Sequence, residues 1–396
     1  MLPRVTARPI CKWLVGALLL LLMGIGVAGA IGLSMVMRRP GDVVSLSTGS
    51  SLAETYGIPD TPPSNQLFEE ISWLKECQLP NGAIAQTPQK KLVIPYFANL
   101  AAKAMVDYDP LWSLRYINWY LDNLNQPDRW GLYGTIYDFH VDEDRIVSTR
   151  NYDSADSYAS TFLSLVARYH QVTGDDSLIL ARKESIDLVA RVLEALMDDD
   201  GLVRVKPNSS TKYLMDNAEN FRGLLDWAGT CETVGFFEDA VWCRRLAASI
   251  RQGIEEVLYN PKTGEYAWSL TRFGKRYPRM GRWYPDAVSQ VFLISGGVVN
   301  RESQKASDIW DKFNRRFPSW EYGETGDDFP WAEIAVTSLI MEQRDKAEKF
   351  CRWVRQECAT RDYPWHVMES SNLIRIHHML GVSLPESEID DETAKP

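Results

Sequence analysis

Twelve segments of this chain repeat apolar residues at steps of three and four, and the connections between the segments alternate in length. That spacing predicts amphipathic helices, each with one buried face. A short connection, such as Gly174 with Asp175, places the two flanking helices antiparallel. The predicted helices span residues 65–78, 95–107, 109–125, 153–173, 176–197, 216–234, 237–259, 285–296, 302–316, 328–342, 344–360 and 365–380.

The connections after the even-numbered helices are short, whereas those after the odd-numbered helices are mostly long. Several long ones contain strand-like pieces, such as "GTIYDFHV" and "GEYAWSL". Six hairpins joined in this way predict an all-α fold, the (α/α)6 toroid, with small β-hairpins in its long loops. The even-numbered helices are the more apolar ones and should form the inner ring. Their N-termini and the long loops would then share one mouth.

The N-terminal region has a different character. Residues 13–37 carry no charge, and this stretch is long enough to cross a bilayer as a helix. Cations flank it on both sides, and the positive-inside rule places residues 1–12 in the cytoplasm and the main domain outside. A cleaved signal peptide is the alternative, because residues 28–30 read Ala-Gly-Ala. We expect an uncleaved single-pass anchor, and either interpretation exports the main domain.

The remaining boundaries follow from composition. Residues 38–64 are rich in Pro, Gly and Ser and predict a stalk. A helical domain is expected over 65–381, followed by an acidic tail at 382–396. The chain has a formal net charge of −10, and its first 39 residues hold five cations and no acid, so the rest carries −15. Such a body has no general attraction for nucleic acid. No motif calls for a cofactor or a metal, and the oligomeric state is not predicted.

Carboxylates stand at the starts of predicted inner helices. Asp153 and Asp156 open the fourth helix in "YDSADSYASTFLSL", and Asp216 and Glu219 open the sixth in "DNAENF". Helix capping alone accounts for any one of them, because acids satisfy free N–H groups and oppose the helix dipole. Capping does not explain why acids and aromatic residues would gather at one mouth. That convergence predicts a carbohydrate-binding cleft.

These two segments, together with "LPNGAI" at 79–84, resemble the six-hairpin glycosidases over residues 65–380. The resemblance implies an exported carbohydrate-active enzyme in which Asp or Glu near inner-helix N-termini act as acid and base. In glycoside hydrolysis one carboxylic acid protonates the leaving oxygen, and a second carboxylate activates water or attacks the sugar.

We therefore expect Asp153, Asp156 and Glu219 to be catalytic, with Asp156 as the base or water-positioning group and Glu219 as the acid. Glu76 is an alternative acid. The tryptophans expected at or beside the mouth are Trp130, Trp268, Trp283, Trp320, Trp331 and Trp365. The residues expected to bind substrate are Trp130, Tyr152, Asp216, Asn220, Trp283, Tyr284, Asp286, Asp328, Trp331 and His366.

The segment "TRFGKRYPRMGR", residues 271–282, holds five cations and no acid. It predicts either recognition of carboxylates or phosphates on a glycan or a solvated loop paired with nearby acids. The predicted function is a membrane-anchored glycoside hydrolase that acts on a polysaccharide or oligosaccharide in a Trp-rich cleft outside the cytoplasm. Two alternatives remain: a polysaccharide lyase on the same fold, and a non-catalytic glycan-binding or scaffold component of an envelope polysaccharide system.

Overall fold

Helices dominate the part of the chain that the structure, a computed structural model, describes: residues 63–142, 145–279, 281–362 and 364–384. These residues belong to one unit, Thr61–Pro396. None of the helices within them is both long and apolar enough to span a bilayer. The predicted membrane segment at 13–37 lies outside the described residues, as do nearly all of the predicted stalk and most of the predicted tail.

All twelve predicted helices are present, which confirms the helical interpretation of the periodicity. A π-helical turn, Ile254–Leu258, extends the seventh helix, and another, Trp283–Ala287, leads into the eighth. The helices are α1 (Pro63–Cys77), α2 (Pro95–Met105), α3 (Pro110–Asp122), α4 (Ala155–Thr173), α5 (Asp176–Leu196), α6 (Leu214–Val234), α7 (Phe237–Gly253), α8 (Val288–Ser295), α9 (Gln304–Arg316), α10 (Ala332–Ile340), α11 (Arg344–Glu357) and α12 (Val367–Met379).

Side-chain caps fix the starts of several outer helices. The Asp109 carboxylate accepts the N–H of Trp112 at the start of α3. Asp175 and Ser303 cap α5 and α9 in the same way. Each cap satisfies an N–H group that the first helical turn leaves free. These outer helices can therefore begin directly after a short turn, which produces the hairpins.

The even-numbered helices form a closed inner ring. Going round it, α2 packs on α4, α4 on α6, α6 on α8, α8 on α10 and α10 on α12, and α12 returns to α2. The odd-numbered helices lie outside: α1 packs on α12, α3 on α2 and α4, α5 on α4, α7 on α6, α9 on α8 and α11 on α10. The apolar core lies between the two rings, for example where Phe162 of α4 stacks on Tyr120 of α3 with ring centroids 3.8 Å apart.

Helices α4 and α6 run side by side in the same direction. A Cβ atom at Gly223 of α6 would stand 2.3 Å from the carbonyl oxygen of Ser160 in α4, so only glycine permits this approach. Further along, the Ser164 hydroxyl donates to the Asp226 carboxylate at 2.7 Å. Because the two helices are parallel, both begin at the same end of the ring.

Short antiparallel strands tie the long loops together. The loop after α1 pairs with the loop after α3 in a sheet of order β1-β2-β3, and the loop after α5 pairs with the loop after α7 in a sheet of order β4-β7-β8. The long loops are therefore gathered on the side where the inner helices begin. The strands are β1 (Leu92–Val93), β2 (Phe139–Asp142), β3 (Arg145–Ser148), β4 (Lys212–Tyr213), β5 (Tyr259–Asn260), β6 (Glu265–Tyr266), β7 (Ser269–Thr271) and β8 (Gly274–Arg276).

Candidate active site

The starts of α2, α4 and α6 meet at the mouth of the ring. The Tyr96 hydroxyl, in the first turn of α2, donates to Glu219 Oε1 of α6 at 2.6 Å. The Asn220 amide of α6 donates to Asp156 Oδ2 of α4 at 3.0 Å. Residues from three inner helices thus contact one another within their opening turns.

The starts of α8, α10 and α12 join the same mouth. The Tyr284 ring, just before α8, contacts the Trp331 ring, with centroids 4.9 Å apart. Trp331 caps α10 with a φ of 58°, a left-handed conformation that is rare for a bulky residue. The Glu369 carboxylate of α12 accepts the N–H of Ala332 at 2.8 Å and so holds this α10 start in place.

Carboxylates of α6 and of the segment just before α4 reach solvent at this mouth. Asp216 and Glu219 are three residues apart on α6, lie on one face of that helix and are partly exposed. The Asp153 side chain, just before α4, is 32% exposed, and its carboxylate lies 3.9 Å from the Lys206 ammonium. No group of three or more His, Cys, Asp or Glu side chains in the described residues is arranged to hold a metal ion.

Another carboxylate, Asp156, is fully enclosed between α4 and α6. It accepts hydrogen bonds from the Ser154 hydroxyl at 2.7 Å, the Ser157 N–H at 2.9 Å and the Asn220 amide. The Ser154 oxygen also lies 3.2 Å from Asp216 Oδ2. A hydroxyl has one proton to give, so Ser154 can donate to only one of the two carboxyls at a time. The pattern therefore favours a state in which one of these two carboxyls holds a proton.

The pKa values of Asp156 and Asp216 are both raised. Burial raises the pKa of Asp156 to about 7, although the three hydrogen bonds that it accepts oppose the rise. Burial, followed by the charges of Asp156 and Asp153, raises the pKa of Asp216 well above its ordinary range. Burial and the Asp216 charge raise the pKa of Glu219 to about 8, although the hydrogen bond from Tyr96 opposes the rise. Near neutral pH Glu219 therefore holds its proton for most of the time.

The pKa of Asp153 is lower than that of Glu219. Burial raises its pKa to about 6, and the nearby Lys206 ammonium limits the rise. At pH 7 most Asp153 side chains are therefore ionised while Glu219 is protonated. An ionised and a protonated carboxyl in one solvent-accessible cleft can act as base and acid.

Sequence reasoning missed Asp138. It lies in the long loop just before β2, where the Tyr158 hydroxyl donates to its carboxylate at 2.8 Å. Burial raises the pKa of Asp138 to about 7, and the Asp153 charge contributes to the rise. Asp138 does not stand at a helix start and reaches the mouth through strand pairing instead. Tyr96 was also missed, although it follows a proline at a predicted inner-helix start.

An aromatic surface adjoins the acids. The rings of Tyr213 and Trp268 are nearly parallel, at 7° with centroids 6.4 Å apart, and both are partly exposed. Burial and the charges of Asp216 and Asp153 raise the pKa of Tyr213 to about 12, so its hydroxyl lies near the carboxylates. Such rings can pack against the C–H faces of a sugar while their polar atoms bond to hydroxyl groups.

Several residues expected to bind substrate are buried instead. Tyr152 has no exposed surface and donates its hydroxyl to Asp128 at 2.6 Å. Trp283 is 3% exposed and packs on aromatic residues at the end of α9. Asp286 is 2% exposed and accepts the N–H of Arg279 at 2.6 Å. These placements correct the expectation for all three, because an enclosed side chain cannot touch a bound sugar.

His366 and Asn220 need the same correction. His366 caps α12 by accepting the Met368 N–H, its ring packs 4.7 Å from that of Phe97, and burial lowers its pKa to about 4. Asn220 is fully buried and orients Asp156. Burial also corrects the expectation that Asp156 is the base, because substrate and water cannot reach its carboxylate.

The expected wall of tryptophans is smaller than predicted. Trp283, Trp320, Trp331 and Trp365 are all buried, and of the six only Trp130 and Trp268 are partly exposed. Trp331 still supports the mouth, because the partly exposed Tyr284 packs on it. Asp328, expected to bind substrate, and Glu76, the alternative acid, have exposed side chains. The cleft is therefore lined by Tyr more than by Trp.

No family model matches the sequence, and a comparison with curated proteins finds no match. Solved structures do resemble this one. A glycosidase variant in complex with glucose superposes with a TM-score of 0.63 at 13% identity, covering 85% of this chain and all of the other. A GH78 family rhamnosidase of Bacillus sp. GL1 gives 0.56 at 12% identity, covering 79% of this chain and 34% of the other. A rhamnosidase from Klebsiella oxytoca with rhamnose bound gives 0.55 at 14%, covering 81% and 65%.

These likenesses show that the chain has a glycosidase-like helical toroid fold, without placing it in a specific family. At such identities the fold carries over and the roles of individual residues do not. The function therefore has to be argued from the mouth of this ring.

Proposed function

We propose that this chain is a glycoside hydrolase that cleaves an oligosaccharide or polysaccharide in the cleft at the mouth of the ring. The observation that carries the proposal is the pair formed by Glu219 and Asp153. Both side chains reach solvent at one mouth, and their pKa values of about 8 and about 6 leave one protonated and the other ionised at neutral pH. The fold shared with glycosidases supports the same chemistry.

Glu219 is the general acid in this proposal. Its Oε1 accepts the Tyr96 hydroxyl, which leaves Oε2 to carry the proton that passes to the leaving glycosidic oxygen. Once Glu219 is ionised, the Tyr96 bond stabilises its carboxylate. Asp153 takes the second role and either removes a proton from the attacking water or attacks the sugar itself.

Asp216 influences the two proposed catalytic carboxyls through its charge, and Asp156 acts through hydrogen bonds. Asp216 lies close enough to both Asp153 and Glu219 for their charges to interact. The raised pKa of Asp216 favours its protonated form, which carries no negative charge beside the acid. Asp156 is a positioning residue, because it is enclosed and touches the cleft only through Ser154 and Asn220.

Leaving-group dependence tests these roles. Purified Glu219→Gln, Asp153→Asn and the exposed control Glu76→Gln are compared on a panel of aryl glycosides and on oligosaccharides, by phenol release and by reducing-end formation. Loss of the acid in Glu219→Gln should slow cleavage of ordinary glycosides by about 100-fold or more. The same variant should cleave dinitrophenyl glycosides much faster than ordinary glycosides, because their leaving group needs no proton. Asp153→Asn should lose both activities.

Two results would reject the proposal. If the folded variants Asp153→Asn and Glu219→Gln cleave every substrate as fast as the unaltered chain does, neither carboxyl takes part in catalysis. If the unaltered chain binds glycans but releases no reducing ends, it is a glycan-binding component. A product with the ultraviolet absorbance of an unsaturated sugar would instead identify a lyase.

We also propose that residues 13–37 anchor the enzyme in a membrane, with the catalytic domain outside the cytoplasm. The support is the uncharged run itself and its flanking cations. Expressed at full length, the chain should sediment with membranes, resist extraction by high salt and be accessible to protease from the extracytoplasmic side. Recovery of a chain whose N-terminus begins just after residue 30 would show a cleaved signal peptide instead.

A further inference from the structure

The β7–β8 hairpin brings a cation to the edge of the cleft. Strand β7 pairs with β4, which leads directly into α6 and its carboxyls. In this sheet Tyr213 of β4 lies opposite Ser269 of β7, and Ser269 lies opposite Arg276 of β8. These three residues form one cross-strand row, and residues of such a row share a face of the sheet.

The neighbouring row lies on the other face. This second row consists of Lys212, Leu270 and Lys275, each of which is next in sequence to a residue of the first row. Because side chains alternate between the two faces along a strand, the second row lies on the opposite face. Lys212 forms ion pairs with Asp198 and Asp200, away from Tyr213. The hairpin therefore presents Arg276 on the face of Tyr213 and Lys275 on the opposite face.

Arg276 lies near the aromatic surface, because its charge opposes the rise in the pKa of Tyr213. The residue between it and Tyr213 is Ser269, which is small and fully buried. Arg276 is exposed, and within the described residues it forms no ion pair with a carboxylate. An unneutralised guanidinium thus stands beside the stacked Tyr213 and Trp268, in a chain with a large excess of acids.

We propose that Arg276 binds an anionic group, a carboxylate, sulfate or phosphate, on the sugar that packs against Tyr213 and Trp268. This inference rests on the proposed function and assigns its substrate to the acidic glycans. A guanidinium bonds to such oxyanions through two parallel N–H groups. The local cation is needed because the carboxylates of the cleft would otherwise repel an anionic sugar.

The two faces of the hairpin supply the test and its control. Arg276→Gln and Lys275→Gln each remove one exposed cation from β8, but only the first removes it from the face of Tyr213. Both changes are made in an Asp153→Asn background, so that ligands bind without turnover. Calorimetry then measures affinity for oligogalacturonides and their methyl esters, and for sulfated and phosphorylated oligosaccharides with their neutral counterparts.

At least one anionic ligand should bind more tightly than its neutral counterpart. Arg276→Gln should weaken that binding by about 10- to 100-fold, whereas Lys275→Gln should change it by about twofold or less. Neutral ligands should bind the two variants with equal affinity. The class that responds identifies the anionic group.

Three outcomes would overturn the inference. Neutral glycans could bind as tightly as anionic ones, the two hairpin variants could weaken binding equally, or Arg276→Gln could have no effect. In each case glycans still bind, and the proposed hydrolase stands. If no glycan of any kind binds, the proposed function fails with the inference.

Discussion

Glu219→Gln should stabilise the folded domain at neutral and alkaline pH while removing the proposed acid. Burial raises the pKa of Glu219 from its ordinary value of 4.5 to about 8. At about 1.4 kcal/mol for each pH unit, that difference corresponds to about 5 kcal/mol. Glu219 keeps some contact with water, which screens its charge, so we expect about half, roughly 2 kcal/mol. The amide can still accept the Tyr96 hydroxyl.

The pH range of the effect follows from the two protonation states. Below pH 4.5 the carboxyl is protonated in both the folded and the unfolded chain, and its burial brings no electrostatic penalty. As the pH rises, the unfolded side chain ionises while the folded one keeps its proton, so the free energy of unfolding falls. The loss is complete above pH 8, where the folded carboxyl also ionises. The advantage of glutamine should therefore grow between pH 4.5 and 8.

Denaturant and thermal unfolding at pH 4, 6.5 and 9 measure this difference. We expect equal stability at pH 4 and a gain of about 2 kcal/mol at pH 9, or about 4 °C in Tm. The matched control is Glu76→Gln on the exposed face of α1, which should change stability by less than about 0.5 kcal/mol at each pH. A Glu219→Gln variant no more stable than the unaltered chain at pH 9 would refute the argument that burial raises this pKa.

Three further predictions concern the same cleft and its scaffold. First, kcat/KM should follow a bell-shaped pH dependence with limbs near pH 6 and pH 8, because Asp153 must be ionised and Glu219 protonated; a pH-independent profile from 5 to 9 would contradict these roles. Second, Lys206→Met removes the cation that holds down the pKa of Asp153, so it should move the acid limb up by about half a unit and leave the alkaline limb in place. Third, Gly223→Ala should destabilise the domain by about 2 kcal/mol or more in denaturant unfolding, because its Cβ would meet the Ser160 carbonyl; unchanged stability would mean that α4 and α6 are not in close contact.

Periodicity and connection length were enough to predict the scaffold. The step of three and four residues marks a helix wherever one face is buried, and every helix of this fold buries one. Short links such as Gly174 with Asp175 allow only an antiparallel return. The alternation of short and long links then groups the helices into hairpins, and the more apolar character of the even-numbered helices marks them as the inner ones.

The site was predicted less completely, because a helix start fixes the end of the ring but not the direction of each side chain. Asp216 and Glu219 face the cleft, whereas Asn220, one position further along, faces α4. Trp283 and Tyr284 are adjacent, yet the first enters the core and the second reaches the cleft. The rotation of each helix depends on packing against its neighbours, which local sequence does not specify.

Residues delivered by loops were the hardest to anticipate. Asp138 belongs to the long loop after α3, and Arg276 reaches the cleft edge only through the pairing of β4 with β7. Strands of two or three residues have little pattern of their own, and their partners are far away in the chain. The segment at 271–282 could be recognised as cationic from sequence, but which cation faces the site depends on register.

Because α12 packs on α2, the ring of helices is closed and this domain has no terminal repeat. In an open array of helical hairpins each unit contacts only its neighbours, and the outermost unit needs a polar outer face. Here each inner helix is flanked by two others, and deleting any hairpin would expose two apolar flanks while drawing apart the groups that share protons at the centre. A domain with one hairpin removed would therefore have to close its ring again before its carboxyls could act together.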